Sequence, residues 1–434
     1  MLILLSDGAG LTARQCATLL ARDGHQVEAL SPDPLCLCRL TRHVRAVHRV
    51  PGLGADPFGW LDAALDIAAR RGAELLLPVQ EQVAVMSLAR ERIVATGLLT
   101  AVPDFGALAQ VQDKLSAHQA LARMGVPQPT ASVAASRAEL EAAGPLPAFV
   151  KTPIGTASAG VRRVDSAAEL RQLAAQYERD GAFGRGGVLV QEPVSGPLVM
   201  IQSVFARGEL VSFHACQRVR EGAGGGASHK IGVQLPEARE HIARLGAALD
   251  WHGALAADVM LSTLGPQFID INPRLVEPVN AYLSGTDLVG TLVEVARCAT
   301  APRRPTGARG RPGVRTHQLL LALLGAAQQG GRLAVARELG DALRRGGDYR
   351  GSTEELTPLR GDPLAAVPVT VAALATLIRP STWRQFSGGA VGAYSLTPDA
   401  WRQLASAGRE AGGVRPGSVS VRRADSTVRS AETV

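Results

Sequence analysis

Lysine is almost absent from this chain, although basic residues are common. Only three of the 46 basic side chains are lysines, Lys114, Lys151 and Lys230, and the other forty-three are arginines. A chain that uses arginine for general positive charge draws attention to the positions where it keeps a compact ammonium group. Such a group suits a phosphate that is bound as a point charge. Chance survival of three lysines is the alternative, because this reasoning rests on composition alone.

Aromatic residues and cysteines are also few, and each scarcity argues against a class of protein. Aromatics make up 4% of the chain, and no basic stretch is interleaved with them, so a nucleic-acid-binding surface is not predicted despite a net charge of +7. The five cysteines are odd in number, and only Cys36 and Cys38 lie close together, which is not a zinc-binding spacing. Free thiols in a reducing cytoplasm are the simplest expectation.

Long hydrophobic runs are missing as well. The apolar start of the chain stops at Asp7 and has no basic leader, so it predicts a first β-strand and not a signal peptide. The longest later apolar stretch, 363–378, contains Pro368 and is shorter than the roughly 20 residues that cross a bilayer. We therefore expect a cytoplasmic protein that does not span a membrane.

The first hundred residues alternate between strand and helix patterns. At 434 residues the chain is long enough for several domains. Strands are predicted at 2–5, 27–30, 46–50 and 75–79, and helices at 12–22, 58–71 and 83–90. This alternation predicts a doubly wound α/β domain with a parallel sheet over residues 1–110. The first turn, 6–10, contains glycines but not the GxGxxG pattern, so it supports an NAD site only weakly.

The pattern changes after about residue 111. Residues 111–300 predict an antiparallel α+β domain, with a smaller lobe at about 125–187 and a C-terminal lobe at about 188–300. A glycine-rich segment at 218–230 predicts a flexible loop. Residues 301–315 predict a linker, 316–411 a mostly helical module, and 412–434 a disordered tail.

Two aspartates and an asparagine in the C-terminal lobe form the most specific pattern. Asp270 and Asn272 share one face of a predicted strand because strand side chains alternate with period two, and Asp258 can reach that face from the neighbouring strand. Two carboxylates and an amide oxygen are ligands that suit Mg²⁺, which completes its shell with water and phosphate oxygens. Arg274 would hold an anion nearby. A solvated strand end is the alternative for either aspartate alone.

The chain resembles the ATP-grasp superfamily over roughly residues 1–300. Within that superfamily it resembles the carbamoyl-phosphate-synthase-like, carboxylate–amine ligase branch. The motifs that carry the resemblance occur in the family's order: Asp113-Lys114, Lys151 with the small-residue loop 155–160, the hinge strand 188–197, the oxygen-ligand set Asp258, Asp270 and Asn272, and Asn272-Pro273-Arg274. The resemblance implies an ATP-grasp fold of two α+β lobes, preceded by a pre-ATP-grasp domain that contains Pro78 and Glu81.

The resemblance also implies cofactors and residue roles. ATP and two Mg²⁺ ions are expected, and Mn²⁺ can replace the magnesium. Asp258, Asp270 and Asn272 would hold the metal. The nucleotide would contact Lys114, Lys151, Gly155, Ser158, Gly160, Gln191, Glu192 and Val194. Arg274, Lys151 and Lys230 would act in catalysis, with His229 as an accompanying contact.

The implied reaction is an ATP-dependent ligation. A small-molecule carboxylate would be activated as an acyl phosphate and attacked by an amine, which forms an amide or peptide-like bond and releases ADP and phosphate. Two positions depart from the family pattern, since Gln191 and Leu198 stand where many relatives have acids. A nucleotide-binding regulatory protein and a carboxylase or carbamoyl-type enzyme are therefore kept as alternatives. The helical module is compatible with a homodimer.

Overall fold

A four-stranded parallel sheet forms the first part of the chain in the computed structural model, which describes residues 1–156, 160–298 and 310–412. The strand order is β3-β2-β1-β4. Its elements are β1 (Leu2–Leu5), α1 (Leu11–Arg22), β2 (Gln26–Ser31), β3 (Ala46–Arg49), α2 (Pro57–Arg71), β4 (Leu75–Leu77), α3 (Val83–Leu88), α4 (Arg90–Ala95) and α5 (Phe105–Ala109). The predicted doubly wound domain is confirmed.

The second part is a small antiparallel sheet with its own core. Its strands are ordered β5-β8-β6-β7. Leu170 and Ala174 of its longer helix pack against Val150 and Val190 of the sheet. We call this sheet and its helices the lid. With the helix that leads into it, this part comprises α6 (Lys114–Arg123), β5 (Ala131–Ala134), α7 (Arg137–Glu141), β6 (Ala148–Lys151), β7 (Val161–Val164), α8 (Ala167–Arg179) and β8 (Val188–Gln191).

A larger sheet of seven strands forms the centre of the molecule. The C-terminal lobe supplies five of these strands and a helix: β9 (Leu198–Ala206), β10 (Glu209–Glu221), β11 (Ala227–Val233), α9 (Pro236–Ala248), β12 (Gly253–Ser262) and β13 (Gly265–Asn272). Two further helices follow, α10 (Val279–Leu283) and α11 (Leu288–Arg297). The sheet order is β13-β12-β9-β10-β11, and two late strands extend it.

The C-terminal part supplies those two strands and four helices. Its elements are β14 (Arg315–His317), α12 (Leu319–Arg344), β15 (Ser352–Glu354), α13 (Ala366–Ile378), α14 (Trp383–Tyr394) and α15 (Pro398–Gly412). Strand β14 pairs with β11, and β15 pairs with β14. Leu404 of the last helix lies in the same hydrophobic core as Trp60 of the first domain and Phe205 of the central sheet. The helical module is therefore packed into the rest of the molecule.

Two expectations about irregular segments need correction. The segment 218–230 is not a flexible loop: most of it belongs to β10 and β11, which pair with each other. Residue Arg315 is the first residue of a strand and not the end of a linker. The rest of the predicted linker lies largely outside the described residues, as does the predicted tail beyond 412.

One helical stretch, Leu319–Tyr349, is long and apolar enough to cross a membrane by length and composition, with a mean hydropathy of 1.3. Its main helix, α12, is interrupted at Gly331, whose φ of 67° is left-handed. Leu323, Ala327 and Val335 of this helix pack against Ala373 of α13. The apolar residues on this face of α12 therefore have protein neighbours within the fold.

A buried ion pair links the first domain to the C-terminal part. Arg14 of α1 donates from Nη2 to Asp362 Oδ2 at 2.6 Å, and both side chains are at most 1% exposed. Asp362 also accepts from Thr41 Oγ1 at 2.6 Å and from the Arg42 N–H at 3.2 Å. The carboxylate thus satisfies donors from two segments that are more than 300 residues away in sequence.

Replacing Asp362 by alanine is expected to destabilise the protein by about 3–5 kcal/mol, because it leaves the Arg14 guanidinium buried without its counter-charge. Urea unfolding of the full chain measures the change. The matched control is Asp399→Ala, which removes an exposed carboxylate paired with Arg402 and should cost less than about 1 kcal/mol. Equal losses in the two variants would contradict a structural role for the buried pair.

Four histidines make the stability of the fold sensitive to acid. Burial lowers the pKa of His214 from 6.5 to about 4, and it also lowers the pKa of His252 and of His317 to about 4. Burial likewise lowers the pKa of His229 to about 3. Each ring is neutral in the folded state, whereas the unfolded chain takes up protons below pH 6.5. The unfolded state binds more protons in this window, so folding stability falls as the pH drops from 6.5 towards 4.

His214→Gln is expected to reduce that pH dependence, because glutamine does not titrate. Each unit by which folding lowers the pKa of a histidine costs about 1.4 kcal/mol of folding stability, once the pH is below both the folded and the unfolded pKa. The measurement is the free energy of unfolding by urea at pH 7, 6, 5 and 4.5 for the two proteins. The variant curve should fall less steeply than the wild-type curve. Parallel curves would show that His214 contributes nothing to the acid sensitivity.

Candidate nucleotide and metal site

The site lies where the lid faces the edge of the central sheet. Lys151, the last residue of β6, reaches across this gap and donates from Nζ to the Ile269 carbonyl of β13 at 2.7 Å. A cavity between the two sheets is lined by residues from α6, β8, β6 and β13, including Lys114, Gln191 and Asp270. The structure therefore brings Lys114 and Lys151 together with the acidic strand β13.

The start of α6 positions Lys114. Asp113 is the N-cap, and its carboxylate accepts from the Ser116 N–H at 2.8 Å and from the Ser116 hydroxyl at 2.6 Å. This cap fixes the first helical turn because it satisfies one of the free N–H groups there. Lys114 Nζ then lies 3.3 Å from the Gly155 carbonyl and 3.6 Å from Asp270 Oδ1. The Asp-Lys motif is thus a capping residue followed by a cation that faces the site.

The small-residue loop after Lys151 closes on itself. The Thr152 N–H donates to the Gly160 carbonyl at 2.9 Å. Gly160 has a φ of 81°, and a Cβ on it would lie 2.1 Å from Thr152 Oγ1, so this position requires glycine. Gly155 lines a second cavity beside Lys114. Ser158 lies outside the described residues, so its predicted nucleotide contact stays a prediction.

The hinge between the lid and the central sheet contains the predicted adenine contacts. Gln191 ends β8, is buried, and lines the cavity between the sheets. The Glu192 N–H donates to the Thr130 carbonyl at 2.9 Å. Because the backbone N–H of Glu192 is already donating in that bond, the backbone carbonyl of Glu192 is the group that can accept a hydrogen bond from an adenine amino group. Val194 follows two residues later and is half-buried.

The metal-ligand set is formed by strand register. Asp258 on β12 is the direct partner of Asp270 on β13, and Ala256 is the partner of Asn272. Paired and second-neighbour residues share a face, so the three side chains lie on one surface. Burial and the neighbouring Asp270 charge raise the pKa of Asp258 from 3.8 to about 7.

These residues fit a magnesium ion. Two carboxylates that repel each other gain stability from a divalent cation between them, and Asn272 adds a neutral oxygen. Within residues 1–156, 160–298 and 310–412, no group of three or more His, Cys, Asp or Glu side chains is arranged to hold a metal ion. A metal here would therefore need further oxygens, which water and nucleotide phosphates supply.

Arg274 is held by a residue of the first domain. Its Nε donates to Glu81 Oε1 at 3.1 Å, and the other Glu81 oxygen accepts from Gln112 Nε2 at 3.2 Å. Glu81, Gln112, Lys114 and Asn272 line the same cavity. The sequence indicated Glu81 only as part of the first domain. Its pairing with Arg274 spans nearly two hundred residues and has no local sequence signal.

Lys230 lies in a different environment from the one expected. Its Nζ is 2.5 Å from Glu277 Oε2 and 2.6 Å from Glu355 Oε2, and the side chain is 1% exposed. Burial alone would lower the pKa of Lys230, but the two carboxylates raise it above its usual value. Lys230 is thus a fixed, paired cation on a strand and not a contact from a mobile loop.

His229 lies away from the metal-ligand set. Its ring stacks on His317 at 5.7 Å and meets the edge of Tyr349 at 4.7 Å. Arg220 lies over the same tyrosine ring. His229 is therefore part of an aromatic cluster between the central sheet and the C-terminal part.

Comparisons with known proteins concern the family and the fold. The family described as ATP-grasp domain matches residues 111–278. No curated protein matches the chain in sequence. Among solved structures, the chain is similar to biotin carboxylase from Campylobacter jejuni in a beta-gamma-ATP complex, with a TM-score of 0.57 and 19% identity over 70% of this chain and 72% of that one.

Two further structures have similar folds. One is the biotin carboxylase domain of 2-oxoglutarate carboxylase from Hydrogenobacter thermophilus, solved with MgADP and bicarbonate, with a TM-score of 0.57 and 18% identity over 72% and 73% of the two chains. The other is N5-carboxyaminoimidazole ribonucleotide synthetase from Thermus thermophilus, with a TM-score of 0.53 and 20% identity over 73% and 81%. The predicted superfamily is confirmed for residues 111–278, which match the ATP-grasp domain family.

Proposed function

We propose that this chain is an ATP-dependent ligase that activates a small-molecule carboxylate as an acyl phosphate and transfers the acyl group to an amine. The observation that carries the proposal is the meeting of Lys114, Lys151 and Asp270 between the two sheets, with Asp258 and Asn272 on the same face. Paired acids for a metal beside two lysines suit a nucleoside triphosphate more than any other common ligand.

Each residue has a physical role in this proposal. Lys114 and Lys151 offset the negative charge of the phosphates, and the backbone around Gly160 approaches them closely. Asp258, Asp270 and Asn272 hold magnesium, two ions by analogy with the family, which would offset the charge that develops during phosphoryl transfer. Arg274, fixed by Glu81, steadies the transferred phosphate.

The proposed chemistry proceeds in two balanced steps. A carboxylate oxygen of the substrate attacks the γ-phosphorus, the bond between that phosphorus and the β–γ bridging oxygen breaks, and ADP leaves. The nitrogen of a neutral amine then attacks the acyl carbon, phosphate leaves, and the nitrogen loses a proton. No protein nucleophile is required, so the protein binds, orients and excludes water.

A carboxylase-type reaction is the second candidate. The similar structures named above are carboxylases or carboxylating synthetases by name, and one of them was solved with bicarbonate. Bicarbonate is itself a carboxylate that ATP can activate. At 18–20% identity these likenesses bear on the fold, so the choice of acid needs an experiment.

Hydroxylamine trapping separates the two candidates. The purified full chain is incubated with Mg²⁺-ATP, hydroxylamine and a panel of small carboxylates or bicarbonate, and both ADP and hydroxamate are measured. A ligase gives carboxylate-dependent ADP together with an equal amount of hydroxamate. ADP release that requires bicarbonate alone would favour the carboxylase reaction. ADP release at a rate that no carboxylate and no bicarbonate changes would contradict both candidate reactions.

A further inference from the structure

A buried polar cluster lies where three parts of the molecule meet. Its members are Lys230 from the central sheet, Glu277 after the Asn-Pro-Arg motif, Gln318 and Glu355 from the C-terminal part, and Gln15 from α1. We call these five residues the junction cluster. Lys230, Gln318 and Glu355 are at most 2% exposed, whereas the Glu277 side chain is 13% exposed. Glu277 is thus the member through which a ligand would approach.

The junction cluster lies on the same sheet face as the metal-ligand set. Asp258 pairs with Met200, Met200 with Cys216, and Arg218 of that strand pairs with Lys230. Direct partners share a face, and so do residues two apart on one strand, so the face is continuous from Asp258 to Lys230. Glu277 also follows Arg274 by three residues, a span of about 10 Å at most. The cluster is therefore a neighbour of the proposed phosphate-transfer site.

Hydrogen-bond acceptors outnumber donors in the cluster. Glu355 Oε2 accepts from Lys230 Nζ at 2.6 Å, Gln15 Nε2 at 3.1 Å and Gln318 Nε2 at 3.2 Å. The amide oxygens of Gln318 and Gln202 accept no hydrogen bond from any described residue. Gln202 belongs beside the cluster because its Nε2 donates to the Glu277 carbonyl at 3.4 Å. Buried oxygens without donors are costly, and a ligand with N–H groups would satisfy them.

The charges also favour a cation. Two carboxylates, Glu277 and Glu355, face a single ammonium group, Lys230. Burial lowers the pKa of His214, which feels the Lys230 charge, so its ring adds no charge at neutral pH. Arg274 is paired with Glu81. Burial raises the pKa of Glu355 while Lys230 opposes that shift, so a second cation beside Glu355 would stabilise its ionised form.

The backbone at Glu277 holds the open side of the cluster in place. Its φ is 51°, a left-handed conformation that is uncommon outside glycine. The Glu277 N–H donates to Thr12 Oγ1 at 3.2 Å, and Gln318 Nε2 donates to its carboxylate. This strained residue is fixed at both its backbone and its side chain.

We propose that the junction cluster, together with Gln202 beside it, binds the protonated amine group of the acceptor substrate. Glu277 and Glu355 are the anionic contacts of the ammonium group, and the amide oxygens of Gln318 and Gln202 are its neutral acceptors. This inference rests on the proposed ligase function and specifies its second substrate: an amine that arrives as an ammonium ion, and not an amide or a thiol. The ammonium gives one proton to the Glu277 carboxylate before its nitrogen attacks. Lys230 bridges the two carboxylates and keeps them in position, so it is a positioning residue.

Cation binding can be tested without turnover. Thermal unfolding of the full chain with MgADP is followed as methylammonium chloride is added, against potassium chloride at equal ionic strength and methanol as a neutral molecule of similar size. Methylammonium should raise the Tm in a saturable manner, by about 2 °C or more, because it binds only the folded state. Neither potassium chloride nor methanol should do so.

Three variants locate the effect. Glu277→Gln and Glu355→Gln should each lose the methylammonium-dependent Tm shift. Glu338→Gln is the matched control, because Glu338 is also a buried glutamate of the C-terminal part but pairs with Arg220 and Tyr349. It should keep the shift. No saturable shift in wild type, or the same shift in all four proteins, would overturn the proposal.

The hydroxylamine assay links binding to the reaction. Methylammonium should inhibit hydroxamate formation by wild type, and its inhibition constant should rise at least tenfold in Glu277→Gln. An unchanged inhibition constant would overturn the role in acceptor binding. Failure of wild type to form hydroxamate with any carboxylate would overturn the proposed ligase function, while the Tm measurement would still report whether the cluster binds a cation.

Discussion

Asp270→Asn is expected to lower ATP turnover by about 10³-fold or more while leaving the fold intact. Asp270 is the strand partner of Asp258 and lies 3.6 Å from Lys114. The substitution keeps the shape of the side chain but removes one of the two charges that hold the metal. Metal stabilisation of transferring phosphate amounts to several kcal/mol, and about 4 kcal/mol corresponds to 10³ in rate. ADP release at saturating carboxylate measures the loss.

The structural cost of this change should be small or favourable. Asp270 contributes to the raised pKa of Asp258, so removing its charge relieves a repulsion in the metal-free protein. The Tm of Asp270→Asn without nucleotide should therefore equal or exceed that of wild type. The control is Asp165→Asn, which alters an exposed carboxylate paired with Arg163 on the lid. Wild-type turnover by Asp270→Asn would refute the proposed metal-ligand set.

Lys151→Met is expected to separate stability from nucleotide binding. The ammonium group of Lys151 is buried, and burial lowers its pKa from the usual 10.5. In the folded state the charged form is therefore disfavoured, which costs stability at neutral pH. Methionine has a similar length and no charge, so the variant should unfold at the same or a higher urea concentration.

The same variant should bind ATP about tenfold to a hundredfold more weakly. A hydrogen bond from a charged group is typically worth about 1.5–3 kcal/mol, and 1.4 kcal/mol is tenfold in affinity. Calorimetric titration with ATP and Mg²⁺ measures the dissociation constant of ATP, and Arg171→Met on the exposed face of α8 is the control. A Lys151→Met protein that is less stable but binds ATP normally would show that Lys151 only joins the lid to β13.

The local parts of this site were readable from the sequence because local physics sets them. Asp113 caps a helix and Lys114 follows it, a relation that spans two residues. Asp270 and Asn272 share a face because strands alternate. Strands β1 and β4 were equally accessible, since each is a short apolar run followed by a helix.

Long-range pairing accounts for what the sequence did not reveal. The glycines at 222–226 suggested a loop that extends to 230, but β11 pairs with β10 on one side and with β14 on the other. Strand β14, and Glu355 beside Lys230, come from a region that predicted a linker and a mostly helical module. The strand begins at Ala227, after the glycines, and two neighbouring strands satisfy its backbone, which no local pattern encodes.

The late strands have a consequence for folding during synthesis. The central sheet can form from β9 to β13 once residue 272 has been made, but Lys230 then lacks Glu355, and β11 presents an unpaired edge. Exposed strand edges invite pairing with other chains. A nascent chain of this protein is thus most vulnerable to aggregation in the interval between residues 272 and 355. We expect ribosome-bound intermediates arrested in that interval to recruit chaperones, and those arrested well beyond it to be released from them.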